Sequence, residues 1–89
     1  MSTYRLIVST PEGQIFSEQV QELSVRAAEG DMAVLAGHVP LMTTLKPCVC
    51  RIVLQDGKRR SGKLDRGFLT VGKDEVILLS SAFEWVEEE

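Results

Sequence analysis

Short apolar/polar alternation, broken every few residues by turn chemistry, is the feature that most restricts what this chain can become. In Tyr4 to Ser9, Tyr4, Leu6 and Val8 alternate with Arg5, Ile7 and Ser9. Successive side chains of a strand point to opposite faces, so this pattern buries one row and leaves the other outside. The segment ends at Thr10-Pro11-Glu12-Gly13, where Pro11 presets φ and Gly13 accepts a positive φ. Gln14 to Ser17 then reads as a brief returning strand, and Val20 to Ala27 as a second, with Leu23, Val25 and Ala27 inward. Farther on, Val49 to Gln55 carries Cys50, Ile52 and Leu54 on one face, with Arg51 on the other. Asp56-Gly57 predicts a hairpin with a two-residue turn. Lys58 to Leu64 is the polar return and reads as an edge strand. Gly67 to Val71 and Glu75 to Ser81 flank the turn Gly72-Lys73-Asp74, and the run Val76 to Leu79 predicts a strand covered on both faces.

The expectation is an all-β protein, a flattened sandwich or barrel of about nine to ten short strands, with strands of about five to six residues each. Pro40 to Leu45 reads equally as a strand or a short helical turn. With 89 residues there is room for one core. Residues 1–82 are assigned to the β-sandwich and 83–89 to a short acidic tail. Phe83, Trp85 and Val86 in that tail are expected to lie against the sandwich, because exposed together they would form an apolar patch.

Between Glu29 and Pro47 the punctuation is denser than anywhere else: EGDMAVLAGHVPLMTTLKP. Gly30 and Gly37 allow bends and Pro40 and Pro47 stiffen the chain, which holds Met32 to Leu35 and Leu41 to Leu45 on short, rigid pieces. Such a segment reads as a docking loop.

Chemistry is sparse. No phosphate-binding glycine loop, dinucleotide fingerprint or nucleophile elbow occurs. Asp31 and His38 with Ser80 or Ser81 have no local motif behind them as a hydrolytic triad, so no catalytic residue, cofactor site or metal site is assigned. Cys48 and Cys50 share a strand face, and His38 is the chain's single histidine, which is too few ligands for zinc, so the two cysteines read as reduced core thiols. Net charge is −3, yet Arg51, Lys58, Arg59, Arg60, Lys63 and Arg66 cluster against only Asp56 and Asp65, a local +4. That run suits a solvated hairpin whose charges deter edge pairing; a nucleic-acid surface is the competing reading, with steep salt dependence as its signature. No apolar stretch approaches the ~20 residues a membrane helix needs.

Three blocks together resemble the epsilon subunit of F-type ATP synthases. Thr10-Pro11-Glu12 with Phe16-Ser17 and Val20 is similar to the opening T-P-E-x-x-x-F-S-x-x-V of that family. Gly30, Val34-Leu35, Gly37-His38, Pro40-Leu41, Thr43 and Leu45-Lys46-Pro47 are similar to G-x-x-G-x-L-P-G-H-A-P-L-x-T-x-L-K-P-G, and Gly67-Phe68 with Val71 to the closing G-G-F-x-x-V. Ala36 stands where the family has proline, and Ala33, Cys48 and Arg66 where it has glycine. Each glycine replacement requires a backbone that accepts a Cβ.

The resemblance implies a non-catalytic central-stalk (rotor) subunit that links gamma to the ring of c subunits and couples proton transport to ATP synthesis. It implies Glu29 and Asp31 at a ring-facing end and His38, Pro40, Leu41 and Thr43 at a gamma-facing side; ordinary core is the competing reading of Leu41 and Leu45, favoured for Leu45. It also implies a peripheral position at the cytoplasmic face of the bacterial inner membrane, held there only through the complex, with no nucleic acid and no cofactor bound. Family members continue into a helical hairpin that inhibits hydrolysis or senses ATP. Because the sequence stops at Glu89, the expectation is a member without that hairpin. The alternative function is a small β-sandwich adaptor that binds another protein through the 29–47 loop and has no connection with ATP synthase.

Overall fold

A computed structural model describes residues 2–87, so the last two glutamates of the predicted acidic tail lie outside the described residues. Nine strands form: β1 Tyr4–Thr10, β2 Gly13–Ala27, β3 Gly30–Leu35, β4 Leu41–Leu45, β5 Cys48–Leu54, β6 Arg59–Leu64, β7 Gly67–Val71, β8 Glu75–Ser80 and β9 Phe83–Val86. They make a β-sandwich. One layer runs from the first half of β2 through β1, β8 and β7 to β4, and the other from β3 through the second half of β2 to β5, β6 and β9. All neighbours are antiparallel except β1 and β8, which run parallel from Arg5↔Glu75 to Ser9↔Leu79.

β2 joins the layers. The sequence divides this region into two strands, but the structure has one strand of 15 residues. Its first half pairs with β1 from Thr10↔Gly13 to Tyr4↔Val20. A register shift between Val20 and Glu22 then bends it, and its second half pairs with β3 on one side and β5 on the other. A bulge of this kind kinks a strand without ending it, which is why the polar Glu18-Gln19 does not mark a boundary. The layers are joined again where Asp65 N–H donates to the Ala82 carbonyl and Ser81 N–H to the Arg66 carbonyl, both at 3.2 Å, so β6–β7 and β8–β9 turn the corner together.

Between the layers lie the inward rows of the alternation. Leu6, Val8, Val20, Leu23, Val34, Cys50, Ile52, Leu69 and Leu78 are completely inaccessible. Fully burying such a side chain contributes about 1.5–3 kcal/mol, which gives every inward position a strong preference for apolar residues. Cys48 and Cys50 are both free thiols, and burial first of all pushes the Cys50 thiol up to about 11. Polar groups inside have partners. The Ser80 hydroxyl donates to the Ala82 carbonyl at 2.6 Å, and the Tyr4 hydroxyl donates to the Val34 carbonyl at 2.7 Å.

That tyrosine yields a test. Tyr4→Phe should cost about 1–2 kcal/mol, because the buried Val34 carbonyl loses a donor. Desolvation, and secondarily the Glu22 carboxylate, raise the Tyr4 pKa above its ordinary value of 10.0. A raised folded-state pKa means that the folded form keeps its proton after the unfolded form has lost it. Tyr4 thus stabilises the fold fully below about pH 10, and this contribution fades as pH rises above that value. Urea melts at pH 7 and above pH 10 should show the wild type losing stability more steeply than Tyr4→Phe. Parallel loss in both would count against the linkage.

Further sequence expectations need correction. Leu41–Leu45 is a strand, paired with β7 from Leu41↔Val71 to Leu45↔Gly67, so the helical turn is excluded. The Asp56-Gly57 hairpin has a three-residue loop: Leu54 N–H donates to the Lys58 carbonyl at 2.7 Å and Gly57 N–H to the Leu54 carbonyl at 2.9 Å. Only Gly57 of that loop takes a positive φ, +88°, whereas a type I′ turn needs two such residues. β8 is covered on one face only, since Leu79 remains 48% exposed. Finally, β6 is no edge: it pairs with β5 on one side and with β9 on the other, from Leu64↔Phe83 to Ser61↔Val86.

Phe83–Val86, placed in the tail by sequence, therefore forms a strand of the second layer. Its inward side chains close the open side of the sandwich. The Trp85 ring lies 4.9 Å from Phe83 edge-on and 5.6 Å from Phe16 of the opposite layer. The Arg60 guanidinium stacks 3.6 Å above the same indole.

Candidate functional site

Gly30, at φ +132°, follows the tight Ala28-Glu29 turn that joins β2 to β3. Along β3 the cross-strand partners include Arg26↔Asp31, and the Arg26 Nε donates to Asp31 Oδ1 at 2.8 Å. That hydrogen bond, with the guanidinium charge behind it, holds the Asp31 carboxyl below the usual carboxylate range. The pair is open to solvent. Gly37, at φ +84°, turns the chain after β3, and the following His38 N–H donates to the Leu35 carbonyl at 3.1 Å. The His38 Nδ1 lies 2.7 Å from the Val39 carbonyl. Pro40, exposed, leads into β4.

Alternation along β4 then decides which side chains are available. Leu45 is buried, so Leu41 and Thr43 share its side and are half-buried, while Met42 and Thr44 point out. Leu41 and Thr43 join Glu29, Asp31, Met32 and Met42 around one shallow cleft of about 450 Å³. The acidic and apolar ends of the docking segment thus meet at one cleft. His38 and Pro40 lie outside its lining.

The site residues named from the sequence leave out Val39 at 72%, Met42 at 67% and Leu35 at 53% exposed, although Met42 and Leu35 belong to the apolar pieces that the docking segment was read as holding out. For Met42 the signal was there, because a buried Leu45 in a strand places 42 outward. Pairing carries this outward face across the first layer. Met42 stands opposite Thr70, Thr70 opposite Ile77, and Ile77 beside Ile7; in the next row Thr44 meets Phe68, and Phe68 meets Leu79. A sheet face bearing Met42, Ile7, Ile77, Phe68 and Leu79 is apolar where a solvent face is ordinarily polar. The outer face of the second layer is mixed, with Glu22, Arg26, Arg51, Arg59, Lys63 and Glu84 among its outward residues beside exposed Val49 and Val86. There the basic run is broken up: Arg60 turns inward to Trp85, Lys63 stands opposite Glu84, and Arg66 lies at the start of the first layer's β7.

Residues 3–86 match the family model described as the β-sandwich domain of the ATP synthase delta/epsilon chain. The chain belongs to the ATP synthase delta/epsilon family. Among relatives in this family, the ATP synthase epsilon chain, sodium ion specific, of Acetobacterium woodii is 36% identical over 97% of this chain and 65% of its own length. The ATP synthase epsilon chain of Bacillus velezensis is 34% identical over 98% of this chain and 65% of its own. The chain spans about 65% of the length of these curated relatives.

Among solved structures, a chain of the Euglena gracilis mitochondrial ATP synthase (OSCP/F1/c-ring) superposes with a TM-score of 0.91 at 25% identity, covering 100% of this chain and 57% of that one. A chain of the Tetrahymena thermophila mitochondrial ATP synthase central stalk and c-ring shares the fold, with a TM-score of 0.73 at 11% identity over 92% of this chain and 66% of that one. At the family's glycine positions the backbone explains the departures. The positive-φ residues are Gly13, Gly30, Gly37 and Gly57, so Ala33, Cys48 and Arg66 occupy conformations that any L-residue adopts. Among the described residues no helix is long and apolar enough to cross a membrane.

Proposed function

We propose that this chain acts as a non-catalytic central-stalk subunit of an F-type ATP synthase, fastening the gamma subunit to the c ring so that proton-driven rotation reaches the catalytic sites. One observation carries the reading beyond family membership: on the outer face of the first layer Met42, Ile77, Ile7, Phe68 and Leu79 stand side by side with only Thr44 and Thr70 between them, whereas the outer face of the second layer mixes Val49 and Val86 with charged residues. Gamma is the partner assigned to this face and to His38, Pro40, Leu41 and Thr43. Buried apolar area contributes about 25 cal/mol per Å² before association costs, so exposed Met42 and Leu79 supply more affinity than the charged groups nearby.

The Ala28-Glu29 turn and Asp31 are assigned to the ring. Asp31 already shares its charge with Arg26 at 2.8 Å, which leaves Glu29 as the less committed carboxylate at that end. Exposed ion pairs contribute only ~0–1 kcal/mol, so these acids set register more than strength. Torque transfer needs a body that does not shear, and two layers joined through β2 and two corner connections supply one. The position assigned is peripheral, on the cytoplasmic face of the bacterial inner membrane, with membrane association only through the complex.

The test is direct. Mixed with its cognate gamma subunit, the chain should co-elute on size exclusion, and Met42→Glu should weaken that complex at least tenfold while leaving the melting curve of the isolated chain unchanged. Separate elution of the wild-type chain from gamma would overturn the proposal.

A further inference from the structure

Within the apolar face, β4, β7, β8 and the Pro11 turn enclose a groove of about 590 Å³. Pro11, Leu45, Phe68 and Leu79 line it, with serine and threonine between them. At its edge stands Arg66, in the position where the family pattern has glycine. No aspartate or glutamate lines the groove. The Arg66 carbonyl is committed, since it accepts from both the backbone N–H and the hydroxyl of Ser81. Its guanidinium is not: Arg26–Asp31 is the sole ion pair among the described residues, and Arg66 is exposed.

An uncommitted guanidinium beside an apolar groove without acids is complementary to one kind of surface: an apolar side chain flanked by a carboxylate. We infer that Arg66 is a specificity-determining residue of this chain, pairing with a carboxylate on the segment of the gamma subunit that fills the groove. This rests on the gamma-docking reading above and adds to it a charge that selects among gamma subunits. A glycine at position 66 leaves such a carboxylate without its partner, and a gamma subunit lacking the carboxylate leaves the Arg66 guanidinium unpaired as the groove closes over it. Either mismatch penalises the wrong pairing, which is how a rim charge confers selectivity in excess of its affinity.

Full-length chain and purified cognate gamma subunit provide the assay, with dissociation constants measured at low and high salt. Arg66→Lys should keep most of the affinity, Arg66→Gly should lose roughly three- to tenfold, and Arg66→Glu should lose more than Arg66→Gly. The salt dependence should be shallower in Arg66→Gly than in the wild type. Lys58→Glu, which equals Arg66→Glu in charge change but lies in the β5–β6 loop at the opposite end of β6 from Arg66, should leave the affinity near the wild-type value. Melting curves of the isolated variants confirm folding; Arg66→Gly retains the carbonyl that Ser81 uses. Equal affinity and salt dependence for wild type and Arg66→Gly would overturn the role of Arg66 while leaving gamma docking intact, and an equal loss in Lys58→Glu would reduce it to net charge. A wild-type chain that does not bind gamma would overturn both proposals together.

Discussion

Gly67→Ala is expected to destabilise the fold by about 3 kcal/mol, near the upper end of what overpacking costs. Gly67 stands opposite Ser80 of β8 and Leu45 of β4, at the corner where the chain passes between the layers. A Cβ at this position would collide with the Leu79 carbonyl oxygen and come within 3.1 Å of the Leu79 carbonyl carbon and the Ser80 Cα. These are backbone atoms, held by the strand pairing itself, so relief requires β7 and β8 to move apart. Conformational freedom is not the reason for glycine, because its φ is not positive. Each kcal/mol lowers the melting temperature of a domain this size by roughly 4–8 °C, so calorimetry or circular dichroism should register a large drop. A shift of only a degree or two would mean that β7 and β8 are less tightly coupled than their geometry indicates.

Trp85→Ala should follow closely, with a loss of about 3 kcal/mol. Truncating a large core aromatic costs roughly 3–5 kcal/mol, reduced here because the indole is half-buried. Added to this are two aromatic pairs at about 0.5–1.5 kcal/mol each and a cation–π contact at about 0.5–1 kcal/mol. Trp85 is where the layers meet at their open side: Phe16 belongs to the first, while Phe83 and Arg60 belong to the second. Without it β9 loses its anchor, and β6 becomes the exposed edge its charges suit. Hydrogen exchange should therefore show the amides of β6 and β9 losing protection before those of β1 and β8. Uniform loss across all strands would show that β9 unfolds with the whole domain. Gly62 is part of the same lock, since an added Cβ there would strike the Phe83 ring, and a ring has more freedom to shift than a backbone carbonyl.

The candidate site was legible to different depths. The 29–47 segment stood out by its glycines and prolines, and the positive φ of Gly30 and Gly37 bears out their use as bends. Which side chains it offers outward followed from β4 alternation once Leu45 was known to be buried, a fact of packing that the ambiguous stretch from Pro40 to Leu45 could not supply by itself. The apolar outer face was hidden for another reason. Met42, Phe68, Leu79 and Ile7 are far apart in the chain, and only the pairing of β4 with β7, β7 with β8 and β8 with β1 sets them side by side. Arg66 read as one more member of a basic run until the corner after β6 carried it to the other layer.

Three separated blocks of the sequence pointed to the family, and short windows of it determined alternating segments such as Tyr4 to Ser9 and Val49 to Gln55, the inward rows from Tyr4-Leu6-Val8 to Cys50-Ile52 and the turns at Gly13, Gly57 and Gly72. Those segments, rows and turns are written within five to eight residues, through side-chain alternation and the φ preferences of glycine and proline. Tertiary structure decided that β2 serves both layers, that β1 and β8 run parallel, that β9 shields β6, and that a groove opens beside Arg66. Each of these depends on which strands become neighbours and in what register. That choice is made by the burial of shared faces across long stretches of chain, and no local window of residues contains it.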